Sequence, residues 1–241
     1  MEYNCQLYLN KYLNKKINYK HNEENKNTMF VFETRLSLNL ISVIKNAIDK
    51  LPNFNLMIAS TKKNLEHIEK VLDIKFLKFE VNKPAISIDE YSKTLLDYKF
   101  WEKIPGENIL IFQSDTIFLR SITNEEIQEK YSKFPMIGPV SVNFEDNEKF
   151  IINGGFSLRN KKKMIELSKN KIINSNIEDW FFTEQIRYHY PSLLPTIDEC
   201  HDFAIESFGN ASKAKGLHGT DKFYRSFDFY KTLFDALEIT T

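Results

Sequence analysis

The stretch "NILIFQSDTIFLR", residues 108–120, decides how this chain is read. Four apolar side chains, Ile109 to Phe112, run into Gln113, Ser114 and Asp115, after which the chain turns apolar again. A short apolar run between polar residues predicts a buried strand. A carboxylate is costly to bury without a partner, so an acid where that strand ends needs an explanation from the rest of the chain.

The alternation around the strand supplies the fold class. "MFVF" (29–32) reads as a buried strand. Leu36, Leu40, Val43, Ile44, Ala47, Ile48 and Leu51 then mark one face of a helix ending near Pro52. A strand in "FNLMIA", a helix over 61–72, a strand in "FLKFE" and a helix from Ser87 to Trp101 follow. Alternating β and α elements predict an α/β fold, a mostly parallel central sheet with helices on both faces. Beyond Arg120 the pattern gives a helix near 123–133, a strand in "MIG", a loop at Asn143 to Asn147, the strand-like run "KFIINGGFSLR", and helices over 160–169 and 179–189. The last fifty residues read as irregular apart from a strand-like piece in "FAIES". Residues 1–28 read as an accessory helix, with Leu7, Tyr8, Tyr12 and Leu13 at helical spacing, and a flexible joint; residues 29–241 read as one domain.

Composition bounds the function. Among 241 residues, 33 basic side chains balance 33 acidic ones, so no global field favours nucleic acid, and any anionic ligand must be held locally. Two cysteines, Cys5 and Cys200, lack zinc-ligand spacing and are expected as free thiols of a reducing cytoplasm. No apolar run approaches the roughly 20 residues that span a bilayer, and the start carries Glu2 and Asn4 in place of a signal peptide's basic region. The expectation is a soluble cytoplasmic protein, with peripheral membrane contact left open.

In an open α/β sheet ligands bind outside the carboxyl ends of strands, where Asp115 would sit. A carboxylate there can hold a divalent cation that neutralises a diphosphate; it can equally cap a turn. None of the seven glycines forms a G-x-G-x-x-G or a P-loop. "NGGFSLRN" (153–160) sets Gly154 and Gly155 inside a strand-like run, which signals either a bulge or a closely approaching ligand, and Arg159 adds a fixed positive charge. In "IEDWFFTEQI", Glu178 and Asp179 open an aromatic helix, where they either satisfy the helix start or serve as a general base. "GLHGTDKFY" puts His218 between glycines with Lys222 four residues on, a metal ligand and a phosphate contact if the loop is a site. No H-E-x-x-H or G-x-S-x-G supports a zinc protease or an α/β-hydrolase.

Taken in order, "VFETR" (31–35), "FWEKIPGENILIFQSDTIFLR" (100–120), "MIGP" (136–139), "NGGFSLRN", "EDWFFT" (178–183) and "FAIES" (203–207) resemble an uncharacterised family, a domain of unknown function assigned to glycosyltransferases with a GT-A-like fold. The resemblance implies a nucleotide-sugar-binding α/β domain over about residues 29–225. GT-A enzymes carry an acidic D-x-D at a strand end for metal and donor; the matching residues here are Gln113, Ser114 and Asp115, with only the last acid kept. It implies Asp115 and His218 as ligands of Mn2+ or Mg2+, and Gln113 on ribose or sugar. Thr34 and Arg35 lie where such folds place the nucleotide, Asn153 to Gly155 beside the donor sugar, and Arg159 and Lys222 toward the donor. Glu178 and Asp179 match the acidic pair near the acceptor, where a carboxylate is the base in inverting members. The expected activity is transfer of a sugar from a nucleoside diphosphate sugar to the hydroxyl of a glycan or other acceptor, in bacterial surface-glycan synthesis such as capsule or lipopolysaccharide. The alternatives are a nucleotide-sugar-binding protein without turnover and a nucleotidyltransferase.

Overall fold

A computed structural model describes residues 2–142, 150–206, 209–220, 232–233 and 235–237. The loop expected at Asn143 to Asn147 and the site candidate Lys222 lie outside the described residues. In chain order the first half comprises α1 (Glu2–Leu13), β1 (Asn27–Phe32), α2 (Leu38–Lys50), β2 (Asn55–Ser60), α3 (Lys62–Leu72), β3 (Leu77–Glu80), α4 (Ile88–Leu95), α5 (Tyr98–Lys103), β4 (Asn108–Phe112) and β5 (Thr116–Phe118). There follow α6 (Asn124–Glu126) with a π-helical turn Ile127–Tyr131, β6 (Met136–Ile137), β7 (Val140–Val142), β8 (Phe150–Ile152), β9 (Phe156–Asn160), α7 (Lys161–Lys169), α8 (Glu178–His189), a 3-10 turn Pro191–Leu193, α9 (Ile197–Phe203), β10 (Ala204–Ile205) and β11 (Gly216–His218).

Local chemistry explains most of these boundaries. Ser37, Thr61 and Ser87 each accept a hydrogen bond from the backbone N–H three residues on, opening α2, α3 and α4. Leu40, Val43, Ile44, Ala47 and Ile48 give α2 its buried face. The single helix expected from Ser87 to Trp101 is two: α4 closes at Leu96, and the Asp97 side chain caps the new start through Lys99 N–H. The described residues of the last fifty are also more regular than expected, since α9 carries a capping box from Thr196 and Glu199 and β11 pairs with β10 and β5.

The main sheet has the order β3-β2-β1-β4-β9-β6. The first four strands are parallel neighbours, and β9 runs antiparallel to both β4 and β6. Successive side chains of a strand face opposite sides, so the register sorts the layers. Phe30 pairs with Ile111 and Ile109 with Arg159, and this face meets Phe100 of α5, 5.4 Å from Phe30, and Tyr91 of α4, 5.8 Å from Phe32. Phe112 and Phe156 share the other face, where they meet Phe118, 5.3 and 4.9 Å away; Phe118 is in turn held by Asn46 of α2. Both faces are covered, as the alternation predicts.

Two small sheets finish the site's frame, β10-β11-β5 and β7-β8. The run "KFIINGGFSLR" therefore is not one strand: β8 belongs to a side sheet and β9 to the main one, with Asn153–Gly155 as the crossing between them. Helix α1, read as accessory, buries Cys5 and Leu9 against the core, and Lys45 of α2 donates to the carbonyls of Leu13 and Lys15 at its end. Both cysteines are buried.

Candidate active site

Four walls enclose a cavity of about 610 Å³ at the carboxyl ends of β1 and β4. Phe32, Glu33, Arg35 and Ser37 come from the end of β1 and the segment after it, and Gln113, Ser114 and Asp115 from the turn between β4 and β5. The start of α4 supplies Ile86 to Ile88, Tyr91 and Ser92; the start of α8 supplies Ile177, Glu178 and Asp179; Asn153, Gly155 and His218 complete the lining. Ligand clefts of open α/β sheets lie at this end of the strands.

The acid of the opening stretch has a local reason for its place. Thr116 returns both its N–H (3.3 Å) and its hydroxyl (2.8 Å) to the Gln113 carbonyl, closing a tight turn with Asp115 at its tip. Across that turn, β11 pairs antiparallel with β5 so that His218 stands opposite Thr116, and Thr220 N–H donates to the Asp115 carbonyl at 3.0 Å. His218 Nε2 lies 3.6 Å from Asp115 Oδ1 and 3.2 Å from the Gln113 amide; its Nδ1 lies 3.1 Å from Glu206 Oε1.

The two glycines are explained by close approach. A Cβ on Gly155 would overlap the His218 imidazole, and one on Gly154 would overlap Arg159, Glu178 and Asp179. Asn153 fixes the crossing by accepting from Gly155 N–H at 2.8 Å and donating to Glu206 at 3.3 Å.

Arg159 corrects the sequence expectation. It points into the sheet's covered face with no exposed surface, between Trp101 and Phe182, and pairs through Nη1 and Nη2 with both Glu178 oxygens at 2.9 and 3.1 Å. It does not line the cavity. Glu178, expected with Asp179 as catalytic, has its charge taken up by that pair, although it borders the cavity. Thr34 is buried outside the lining, with its carbonyl accepting from Asn64 at 2.6 Å. Arg35, Gln113, Ser114, Asp115, Asn153, Gly155, Asp179 and His218 are brought together, and Gly154 N–H donates to Asp179 Oδ1 at 2.8 Å.

Two acids of the site were not singled out from the sequence. Glu33 is gripped by Arg35 through Nε (2.9 Å), Nη2 (2.8 Å) and the backbone N–H (2.8 Å), and takes the Ser114 hydroxyl at 3.3 Å. Burial alone would push its carboxyl up; the Arg35 contacts outweigh burial and hold it below the usual range. Glu206 is an acid at the end of the apolar piece "FAI", and an acid in such a run is the one available signal that it has a partner.

Asp179 behaves in the opposite way. Burial and the adjacent Glu178 charge raise its pKa well above the ordinary 3.8. The native protein then keeps this proton over a pH window in which the unfolded chain has lost it. Its contribution to stability therefore falls as pH rises from the ordinary value through the raised one. Asp179→Asn should remove that slope and melt higher than wild type at neutral pH. Parallel melting curves of the two proteins against pH, with wild type the more stable at neutral pH, would contradict this assignment.

The family model described as "Protein of unknown function (DUF5672)" matches residues 73–218, from the end of α3 to His218. The chain belongs to this family. No curated protein matches the chain. Among solved structures, it is similar to the apo crystal structure of mouse xyloside xylosyltransferase 1, with a TM-score of 0.51 and 13% identity over 80% of this chain and 97% of that one. At that identity the likeness concerns the fold, which is GT-A-like. This DUF5672 chain therefore carries a glycosyltransferase-like fold, and among its described residues no helix is long and apolar enough to cross a membrane.

Proposed function

We propose that the protein is a glycosyltransferase that moves a sugar from a nucleoside diphosphate sugar to an acceptor hydroxyl. The observation that carries this reading is the meeting of Asp115 and His218, 3.6 Å apart, beside a 610 Å³ cavity at the strand ends of a GT-A-like fold. The donor set fits a divalent cation, Mn2+ or Mg2+: one carboxylate oxygen and one imidazole nitrogen face each other, and the far side of the ring meets a carboxylate, as in many metal-binding histidines. Among the described residues no group of three or more His, Cys, Asp or Glu is placed to hold a metal, so the remaining ligands would be diphosphate oxygens and water. When bound, such an ion neutralises the departing diphosphate.

The chain's own residues do the rest in this reading. Arg35, its charge fixed by Glu33 near Asp115, faces the diphosphate. Gly155 lets the crossing pack directly on the His218 ring, and Asn153 fixes that crossing beside the cavity, where the sugar would bind. Asp179, which lines the cavity and accepts from Gly154 N–H, is the carboxylate that in its ionised form would take the proton of an acceptor hydroxyl. A place in bacterial surface-glycan synthesis in the cytoplasm rests on the sequence resemblance alone.

A thermal-shift screen of UDP-, GDP- and CDP-sugars with and without Mn2+ tests the reading, with Asp115→Ala alongside. A donor at 100 times its dissociation constant adds about 2.7 kcal/mol, which at roughly 2–4 °C per kcal/mol for a domain of this size shifts the wild-type melt by about 5–10 °C. The variant should not shift. A full response in Asp115→Ala removes that residue from the site, and silence toward every donor sinks the enzyme reading. Release of nucleoside diphosphate in the presence of acceptor separates transfer from binding alone.

A further inference from the structure

The imidazole at the centre of the site has two distinct nitrogens, and which one carries the proton decides what the other can do. Strand β10 sets this up. Ala204 pairs with Gly216 and Ile205 with Leu217, so one further step along the parallel register places Glu206 beside His218. The Glu206 side chain is only 2% exposed. Its Oε1 faces His218 Nδ1 at 3.1 Å and takes Asn153 Nδ2 at 3.3 Å, while Oε2 accepts from Ser141 Oγ at 2.9 Å. A carboxylate so deep is kept only where donors surround it, and donors reach it from β7, from the glycine crossing and from β11. Ionised carboxylates accept and do not donate. With Glu206 ionised, the ring nitrogen that meets it is a protonated one.

We propose that Glu206 is a positioning residue: it holds the Nδ1 proton of His218 and so points Nε2 at the Gln113 amide oxygen, 3.2 Å away, and at Asp115 Oδ1, 3.6 Å away. The same carboxylate anchors the Asn153 side chain, which in turn accepts from Gly155 N–H, so the ring and the glycine crossing packed on it are aligned by one buried group. Glu206 does not itself line the cavity but stands directly behind two residues that do, His218 and Asn153. The inference rests on the glycosyltransferase reading only in supposing that Nε2 serves a metal-held diphosphate; the hydrogen-bond geometry stands without it.

The test is histidine 15N NMR on the full chain, with His218→Ala to assign the ring, followed by Mn2+ titration in the presence of UDP. In wild type His218 should carry a proton on Nδ1. In Glu206→Gln the side-chain amide can offer an N–H in place of an acceptor, so the ring should move toward the Nε2-protonated form, and Glu206→Asp should restore Nδ1 protonation at least in part. Mn2+ affinity should fall about 10–100-fold in Glu206→Gln, the usual effect of losing such an outer partner. A merely structural role would lower the melting temperature of Glu206→Gln and leave the tautomer unchanged. A wild-type ring protonated on Nε2 alone, or a ring unaltered by Glu206→Gln, overturns the proposal. Wild type that shows the expected tautomer but takes no Mn2+ removes the metal from the functional reading and leaves the role of Glu206 intact.

Discussion

Arg159→Met is expected to cost about 3–5 kcal/mol of folding stability, the usual loss when one partner of a buried ion pair is removed. At roughly 2–4 °C per kcal/mol this lowers the melting temperature by about 6–20 °C. The reason is the company Arg159 keeps. Its guanidinium neutralises Glu178, donates to Ser157 Oγ at 2.9 Å and lies between two aromatic rings with no water access. Without it, Glu178 is a buried charge beside Asp179, a carboxyl already pushed toward its neutral form. Replacing both partners removes the stranded charge, so Arg159→Met/Glu178→Met should recover most of the loss. Thermal and urea melts of the two variants decide the matter. Equal damage in single and double variants would show that packing around the pair, and not its charge, is what the fold needs.

Asn46→Leu should be similarly damaging, at roughly 2–6 kcal/mol, from one to three for each of two buried backbone groups left unmet. Asn46 behaves as a strand neighbour made from a side chain. Its Oδ1 accepts from Phe118 N–H at 2.7 Å and its Nδ2 donates to the Phe118 carbonyl at 3.1 Å, on the flank of β5 that faces α2. Leucine fills the volume and satisfies neither group; the Tyr8 hydroxyl reaches that carbonyl only at 3.4 Å. Since β5 continues directly from the turn that carries Asp115, the variant should also weaken the donor-induced thermal shift. A loss below about 1 kcal/mol would mean that water replaces the amide and that the site does not depend on this clamp.

Much of the architecture was legible because its causes are local. The caps at Ser37, Thr61 and Ser87 act within three residues, and the apolar periodicity of α2 shows within four turns. What misled was local too. "KFIINGGFSLR" has the composition of one strand, yet the glycines mark where the chain leaves one sheet for another. The helix from Ser87 to Trp101 keeps its apolar spacing across a break that a single capping side chain, Asp97, makes favourable. Residues after 190 looked irregular because α9, β10 and β11 are each too short for periodicity to register.

Sequence by itself determined the alternating α/β order, the buried central strands and the placing of an acid, Asp115, just past the end of one of them, for these follow from side-chain polarity and spacing along a few residues. Only the tertiary structure decided that Gln113 meets a histidine 105 residues away, that Glu206 stands behind that ring, and that Arg159 turns inward to Glu178. In a strand covered on both sides each residue faces protein, so its own neighbours in the chain carry no sign of whether its charge meets a ligand or a buried partner. That choice belongs to the register and to the helices that close over the sheet.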